Sequence, residues 1–367
     1  RNRRFRTTVF HKPQSRTGFR PCTPFSMILS CPRRKHDKIV EGAFWPLPAI
    51  TDIRKARPED REAFIRLVVE KKDYAPYPLR GLSSDSQKNA HVSSYRAHWD
   101  LDWEAHRFQV LLAEEAGVLK GYVVLRGDLL DGVTQQPQTV IFDYWASSRA
   151  RTAQLLQAVE PVARSFGTDH LVVEVAPDDD AGKKLLESLG FMAEIHRVAR
   201  RAEAWTPPPD SPFRCRPARQ SDSLFVTHLN ATSLPVVVPP GRPKDMDEVS
   251  MDFMAHYSSL QLADDPELLV LILEQGRRQA GYLILQRGIP DASLAYVYDI
   301  AIAAKYQGQG AAQYLVRSGS NAAFQEGFMA LTGDISATNP RALRTALQGL
   351  GFEVERHRYG RSFVNSL

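Results

Sequence analysis

Cysteine is scarce in this chain. Only Cys22, Cys31 and Cys215 occur in 367 residues, too few and too scattered for a disulfide framework or for the close ligand pairs of a zinc site. No metal is expected, and a reducing, cytoplasmic setting fits the thiol count. Long apolar runs are missing as well. Nothing approaches the roughly 18 to 20 uninterrupted apolar residues that a spanning helix needs, so no membrane partner is expected. Acids are nearly absent from the first 40 residues, where 11 Lys and Arg face Asp37 alone, a net of +10. The whole chain is only +5, so the remainder carries −5 and the positive balance belongs to the head.

That head has no periodic apolar pattern, and residues 1–50 read as a basic, disordered extension. It could serve as a nucleic-acid arm, it shares its composition with organelle transit peptides, and it could be upstream sequence outside the working protein, Met27 lying downstream. Nucleic acid is not the partner on which the rest of the chain points. With 43% hydrophobic and 24% charged residues, that rest is ordinary globular material with length enough for two cores.

From Ile53 onward the sequence states things twice. IRKARPED at Ile53–Asp60 returns as CRPARQSD at Cys215–Asp222, VLLAE with Gly121-Tyr122 returns as VLILE with Gly281-Tyr282, and LGF followed by Glu194, His196 and Arg197 returns as LGF followed by Glu355, His357 and Arg358. The offset stays near 161 residues at all three anchors, which means two copies of one domain and not a short solenoid repeat. Five prolines in WTPPPDSPFRCRP, Trp205–Pro217, mark the joint. The expected organisation is a first domain over 51–205, a Pro-rich linker over 206–212 and a second domain over 213–367.

Each copy reads as an opening strand, a helix, a long irregular stretch (Tyr74–His98 and Ser233–Val249), and a pair of strands rich in branched residues. A third strand follows at IFDYW or VYDIAI, then a helix with one apolar face, a further strand, and a last helix with Leu343, Ala346, Leu347 and Leu350 on one side in the second copy. The fold class is therefore α/β, a mixed sheet with flanking helices, met twice in tandem.

Chemistry concentrates at YVYDIAIAAKYQGQG, Tyr296–Gly310. A strand runs into a polar elbow with two glycines one residue apart, and a helix starts at once. Glycine lets the backbone approach a ligand, while the helix start offers free N–H groups and the positive end of a dipole, a setting suited to phosphate. A dinucleotide fingerprint would need a third glycine where Gln313 stands, and no nucleotide P-loop motif occurs. The two glycines could also make only a tight turn.

The order strand, Lys305-x-x-Gly308-x-Gly310, helix, strand, Asn339, helix and Leu350-Gly351-Phe352 resembles the GNAT acetyltransferase superfamily, and the resemblance spans Asp52 to the C-terminus as two copies. It implies acetyl-CoA as co-substrate. It also implies that Ile302, Ala303 and Ala304 pair with the pantetheine arm, that Gln307, Gly308, Gln309, Gly310, Ala311 and Ala312 hold the pyrophosphate, and that Asn339 contacts the arm. The implied reaction moves an acetyl group to an amine, carried by a small molecule or a protein. A CoA-binding regulatory or scaffold protein is the alternative, because the Tyr that family members often carry shortly before the terminal Gly-Phe is replaced here by Ala346 and Leu347, and the Asn-to-Gly spacing is one residue longer than the commonest pattern.

Asp299 is the candidate base and Tyr359 the candidate acid, with a structural carboxylate and a packing phenol as the plain readings. A thiolate can also leave unaided. The first copy has no glycine between Asp143 and Gly167 and offers Asp178, Asp179 and Asp180 where the second has Asn339, so it reads as a degenerate copy. His196 and His357, present in both, read as structural. Two fused copies can supply the pairing that single-domain relatives obtain by dimerising, so a monomer is expected.

Overall fold

The computed structural model describes residues 52–363, apart from 75, 78, 80, 100–106, 233–237, 243–245 and 289–291. The basic head, and much of the Ser233–Val249 segment, lie outside the described residues. The first half runs β1 (Asp52–Lys55), α1 (Arg61–Lys71), α2 (Ser84–Trp99), β2 (Phe108–Glu115), β3 (Val118–Leu130), β4 (Pro137–Ala146), α3 (Arg149–Ser165), β5 (His170–Val175), α4 (Asp180–Ser188) and β6 (Met192–Arg201). The second half repeats the series as β7 (Phe213–Pro217), α5 (Ser223–Ala231), α6 (Met246–Ser259), β8 (Leu268–Gln275), β9 (Arg278–Arg287), β10 (Leu294–Ile302), α7 (Ala311–Gln325), β11 (Ala330–Ser336), α8 (Pro340–Arg344) and β12 (Glu353–Ser362).

All twelve strands form one sheet in the order β1-β2-β3-β4-β5-β12-β6-β11-β10-β9-β8-β7. The halves have exchanged their last strands: β12 lies between β5 and β6, and β6 lies between β12 and β11. A near two-fold relation passes between β6 and β12, where His196 and His357 sit opposite each other with Nδ1 atoms 2.7 Å apart. Helices cover both faces of the sheet. On one face α3 and α7 bury Leu155, Val159, Leu315 and Val316; on the other α1, α2 and α5, α6 bury Phe64, Tyr95, Val226 and Tyr257. The alternation of strand side chains supplies the sheet's share of both cores, which is why every residue of β10 is buried.

Two sequence expectations need correction. The stretch expected to be irregular holds α2, a helix whose sequence hides it: only Val92, Tyr95 and Trp99 face inward among many polar residues, with Gln87 buried beside them. Leu347 does not join the inner face of the last helix and stands 37% exposed. Thr345–Gly349 form a π-helical turn after α8, so the extra residue between Asn339 and Gly351 is absorbed there and rotates Leu347 outward.

Candidate functional site

The elbow after β10 forms as its composition dictates. Ala304–Tyr306 make a 3₁₀ turn, and Gly308 and Gly310 follow with φ of 77° and 81°, left-handed conformations that glycine alone adopts without strain. Gly310 is the N-cap of α7 and brings no side chain to that role. A Cβ built on Gly308 or Gly310 would meet nothing within 4 Å, so both open onto free space. Among the described residues, no acceptor pairs with the backbone N–H groups of Gly308, Gln309, Gly310, Ala311, Ala312 or Gln313. Gln307 and Gln309 fold their amides back to the carbonyls of Ile302 and Lys305, at 3.0 and 2.7 Å, which stiffens the turn from beneath. Lys305 places its Nζ 4.6 Å from the Tyr306 ring centroid.

Beside the elbow the sheet opens. β10 pairs with β11 only over Leu294–Val297 and Ala330–Gly333, while its pairing with β9 continues to Ile302. Tyr298–Ile302 therefore lack a strand partner on the β11 side. Not all of the expected positions keep free backbone: Ala303 donates to Ala280 O at 2.9 Å and accepts from Tyr306 at 2.8 Å. That corrects the expectation for Ala303. Across the opening Asn339 caps α8 by accepting from Ala342 N–H at 3.0 Å, is 2% exposed, and leaves its Nδ2 buried without a partner. Free N–H donors at the helix start, room at both glycines and an orphaned amide donor together fit an elongated phosphate-bearing group.

A β-bulge skips Tyr298 in the β10–β9 register and turns Tyr298 and Asp299 to one face, toward α5 and α6. Asp299 is fully buried. Its Oδ2 accepts from Asn230 at 2.9 Å, from Tyr257 at 2.7 Å and from Tyr282, and its Oδ1 has no partner. Burial pushes this carboxyl above the usual range, the three side-chain donors and the Ile300 backbone N–H acting against that. Tyr298 bonds His256 Nε2 at 2.6 Å, a pair that spacing in the sequence did not reveal because His256 and Tyr298 come from different elements.

Tyr359 is elsewhere. It lies on β12 opposite Val173 of β5, packs in the first half's core, and donates to Glu187 at 3.2 Å. Burial and Glu187 push its phenol up to about 12. Three strand positions separate β12 from β10, roughly 14 Å at the usual strand spacing, so the strand exchange removes Tyr359 from the opening in β10. Asp299 and the loop belong to β10 and the elbow that follows it, and Asn339 follows the neighbouring β11; Tyr359 does not join them.

One residue was missed altogether. Arg242, from the long segment of the second half, is fully buried in the first half. It donates to Glu194 at 3.0 Å and Gln138 at 2.7 Å and stands 3.5 Å from Asp131. Arg358 adds a second cation to the same two acids. Among the described residues, no helix is long and apolar enough to cross a membrane, and no group of three metal-ligating side chains occurs.

Residues 235–352 match the sequence model of the Acetyltransferase (GNAT) family. The second half carries a GNAT acetyltransferase domain. Most of the chain is similar to several solved structures at low identity. A GCN5-related N-acetyltransferase from Sphaerobacter thermophilus is 15% identical over 85% of this chain and 95% of its own, with a TM-score of 0.49. A tandem GNAT protein from the clavulanic acid biosynthesis pathway is 12% identical over 85% of this chain and 98% of its own, with a TM-score of 0.40. A GNAT-family acetyltransferase from Colwellia psychrerythraea is 10% identical over 85% and 99%, with a TM-score of 0.43. No curated protein matches the chain. The first half repeats the GNAT domain's element order around the same sheet.

Proposed function

We propose that the second half is an N-acyltransferase that takes an acetyl group from acetyl-CoA and passes it to an amine, on a small molecule or a protein, and that a single chain does so in the cytoplasm. What carries the reading is the run of unpaired N–H groups from Gly308 to Gln313, side-chain-free at two points, beside the open edge of β10. The amides of Gly308 to Ala312 would hold a pyrophosphate, with Gln307 and Gln309 bracing the turn. The open edge ending at Ile302, with Ala304 at the start of the elbow and Asn339 Nδ2 opposite, would line the pantetheine arm. Acetyl-CoA supplies the acyl group already activated as a thioester.

The chain's own residues supply position and proton handling. Ionised Asp299 is a stronger base than a carboxylate in water because its burial favours the protonated form. It would take the proton that an ammonium must lose, so that the nitrogen lone pair forms the new C–N bond as the C–S bond breaks. A backbone N–H near Ile302 would stabilise the carbonyl oxygen. The leaving thiolate of coenzyme A needs little protonation, since free thiols have a pKa near 8.5. The first half would act as a wall: its helix start is capped by its own Ser148, which accepts from Arg151 N–H at 3.3 Å.

Calorimetry with acetyl-CoA and thiol release over a panel of amines test this reading. Binding with release supports it. Binding without release to any amine would leave a CoA-binding scaffold, the reading favoured by Tyr359's remoteness from β10.

A further inference from the structure

The two halves place one carboxylate in the same bulge and partner it differently. Asp143 Oδ2 accepts from Tyr74 at 2.6 Å, Tyr95 at 3.0 Å and Tyr122 at 3.0 Å. Its Oδ1 meets Lys72 Nζ at 2.9 Å, and the same ammonium donates to the Tyr144 carbonyl at 2.9 Å. The rings of Tyr74 and Tyr144 stand 5.6 and 5.2 Å from that nitrogen, near enough for a cation–π contribution. In the second half Asn230, Tyr257 and Tyr282 reproduce the donors on Asp299 Oδ2, and among the described residues nothing reproduces Lys72.

Strand register makes the correspondence close. Asp143 lies opposite Val124 with Phe142 skipped, and Tyr144 lies opposite Val123. Asp299 lies opposite Ile284 with Tyr298 skipped, and Ile300 lies opposite Leu283. The Ile300 carbonyl thus corresponds to the carbonyl that Lys72 bonds. Both Tyr144 and Ile300 stand past the last residue paired across the opening, Ile141 on β4 and Val297 on β10. Lys72 directly follows α1; the residues after α5, Thr232–Gly241, include no lysine or arginine. A buried carboxylate oxygen without a donor is costly, so the second half keeps a receptor that no side chain among the described residues fills.

We propose that Asp299 Oδ1 and the Ile300 carbonyl receive the acceptor's nitrogen, and that the acceptor presents a primary ammonium on an unbranched alkyl stem, the group that Lys72 presents to the first half. The inference rests on the acyltransferase reading and narrows its acceptor. Two N–H bonds of such an ammonium are held by the two oxygens; Asp299 takes the proton of the N–H that its Oδ1 holds, and rotation about the amine's C–N bond turns the freed lone pair toward the opening. Branching or an aryl ring at nitrogen would replace a donor with bulk where the first half has slender methylenes. By the same logic Lys72 plugs the first half with an internal copy of the acceptor.

The test is calorimetry of the full chain with n-butylamine, a lysine side chain cut at Cβ. Wild type should bind one equivalent, and Asp299→Asn should weaken binding at least about tenfold, the loss of one charge-assisted hydrogen bond. Acetyl-CoA affinity measured on the same Asp299→Asn sample should be unchanged, which shows the variant folded. Lys72→Ala, which opens the first half's counterpart, should raise the count of bound butylamine to two. N-methylbutylamine and aniline should bind wild type at least about tenfold more weakly. Butylamine binding that is absent in a chain that binds acetyl-CoA, unaffected by Asp299→Asn, or still a single equivalent in Lys72→Ala overturns the inference and leaves the acyltransferase reading standing. A chain that binds no acetyl-CoA removes that reading, and the inference with it.

Discussion

The starts of α3 and α7 are built on opposite plans. Ser148 closes α3 with its own hydroxyl, and Arg151 reaches back to Ser147 at 2.8 Å and Glu115 at 2.7 Å; α7 begins at Gly310 with no side chain to do this. The same contrast recurs at the bulge, where Lys72 satisfies Asp143 and nothing in the described chain satisfies Asp299 Oδ1. In each pair the first half meets its polar groups internally and the second leaves the equivalent groups open. A duplicated fold thus carries its own control: polar groups satisfied in one copy and bare in the other mark where a ligand is to be sought.

The contrast can be broken or sharpened by substitution. The largest effect should come from Arg242, through which the second half's long segment is fastened into the first. Arg242→Ala leaves Asp131 and Glu194 short of a buried cation and should cost about 3–5 kcal/mol in urea unfolding; an unchanged midpoint would mean that the first half does not brace the second. Next, Asp143→Asn strips Lys72 of its partner and should cost about 2 kcal/mol, part of the pair being exposed to solvent. Asp299→Asn should cost less, since no cation is stranded. Its pH trend should also differ: burial raises the Asp299 pKa above its ordinary 3.8, so the fold favours the protonated acid. That contribution is complete below pH 3.8 and is lost as pH rises through the folded value, so Asp299→Asn should gain on wild type as pH rises.

Smaller effects probe the cap and the seam. Ser148→Ala should cost about 1 kcal/mol and leave acetyl-CoA affinity unchanged; a weakened affinity would count against the proposal that the cofactor sits at α7 alone. At the seam, burial first, then His196 and Lys183, lower His357 from 6.5 to about 4, and burial lowers His196. Neutral imidazoles are the forms the fold favours, so this contribution is present above pH 6.5 and fades as pH falls toward 4. His357→Gln should flatten that part of the urea midpoint's pH profile; an unaltered profile would show that the pair does not titrate with folding.

Much of this was legible in the sequence. The tandem α/β organisation followed from three anchors at one offset, and the elbow announced itself because Gly308 and Gly310 are needed where φ is positive. The contrast between a glycine elbow in the second copy and none in the first was legible for the same reason. What was not legible arose from contacts between distant segments. β6 and β12 have similar patterns, so their exchange leaves no local mark, and it is the exchange that carries Tyr359 into the first half. Lys72 in the run Lys71-Lys72-Asp73 looks like any surface lysine until β4 brings Asp143 to it. Helix α2 was concealed by a polar sequence whose inward face rests on two aromatic rings and a valine.

Titration of the full chain with acetyl-CoA, beside the paired substitution Gly308→Asp and Gly310→Asp, bears most directly on the claim that the second half alone is open to the cofactor. One bound equivalent, lost in the paired variant while the chain stays folded, is the expected result. Two equivalents, none, or an affinity undiminished by the two aspartates would contradict it.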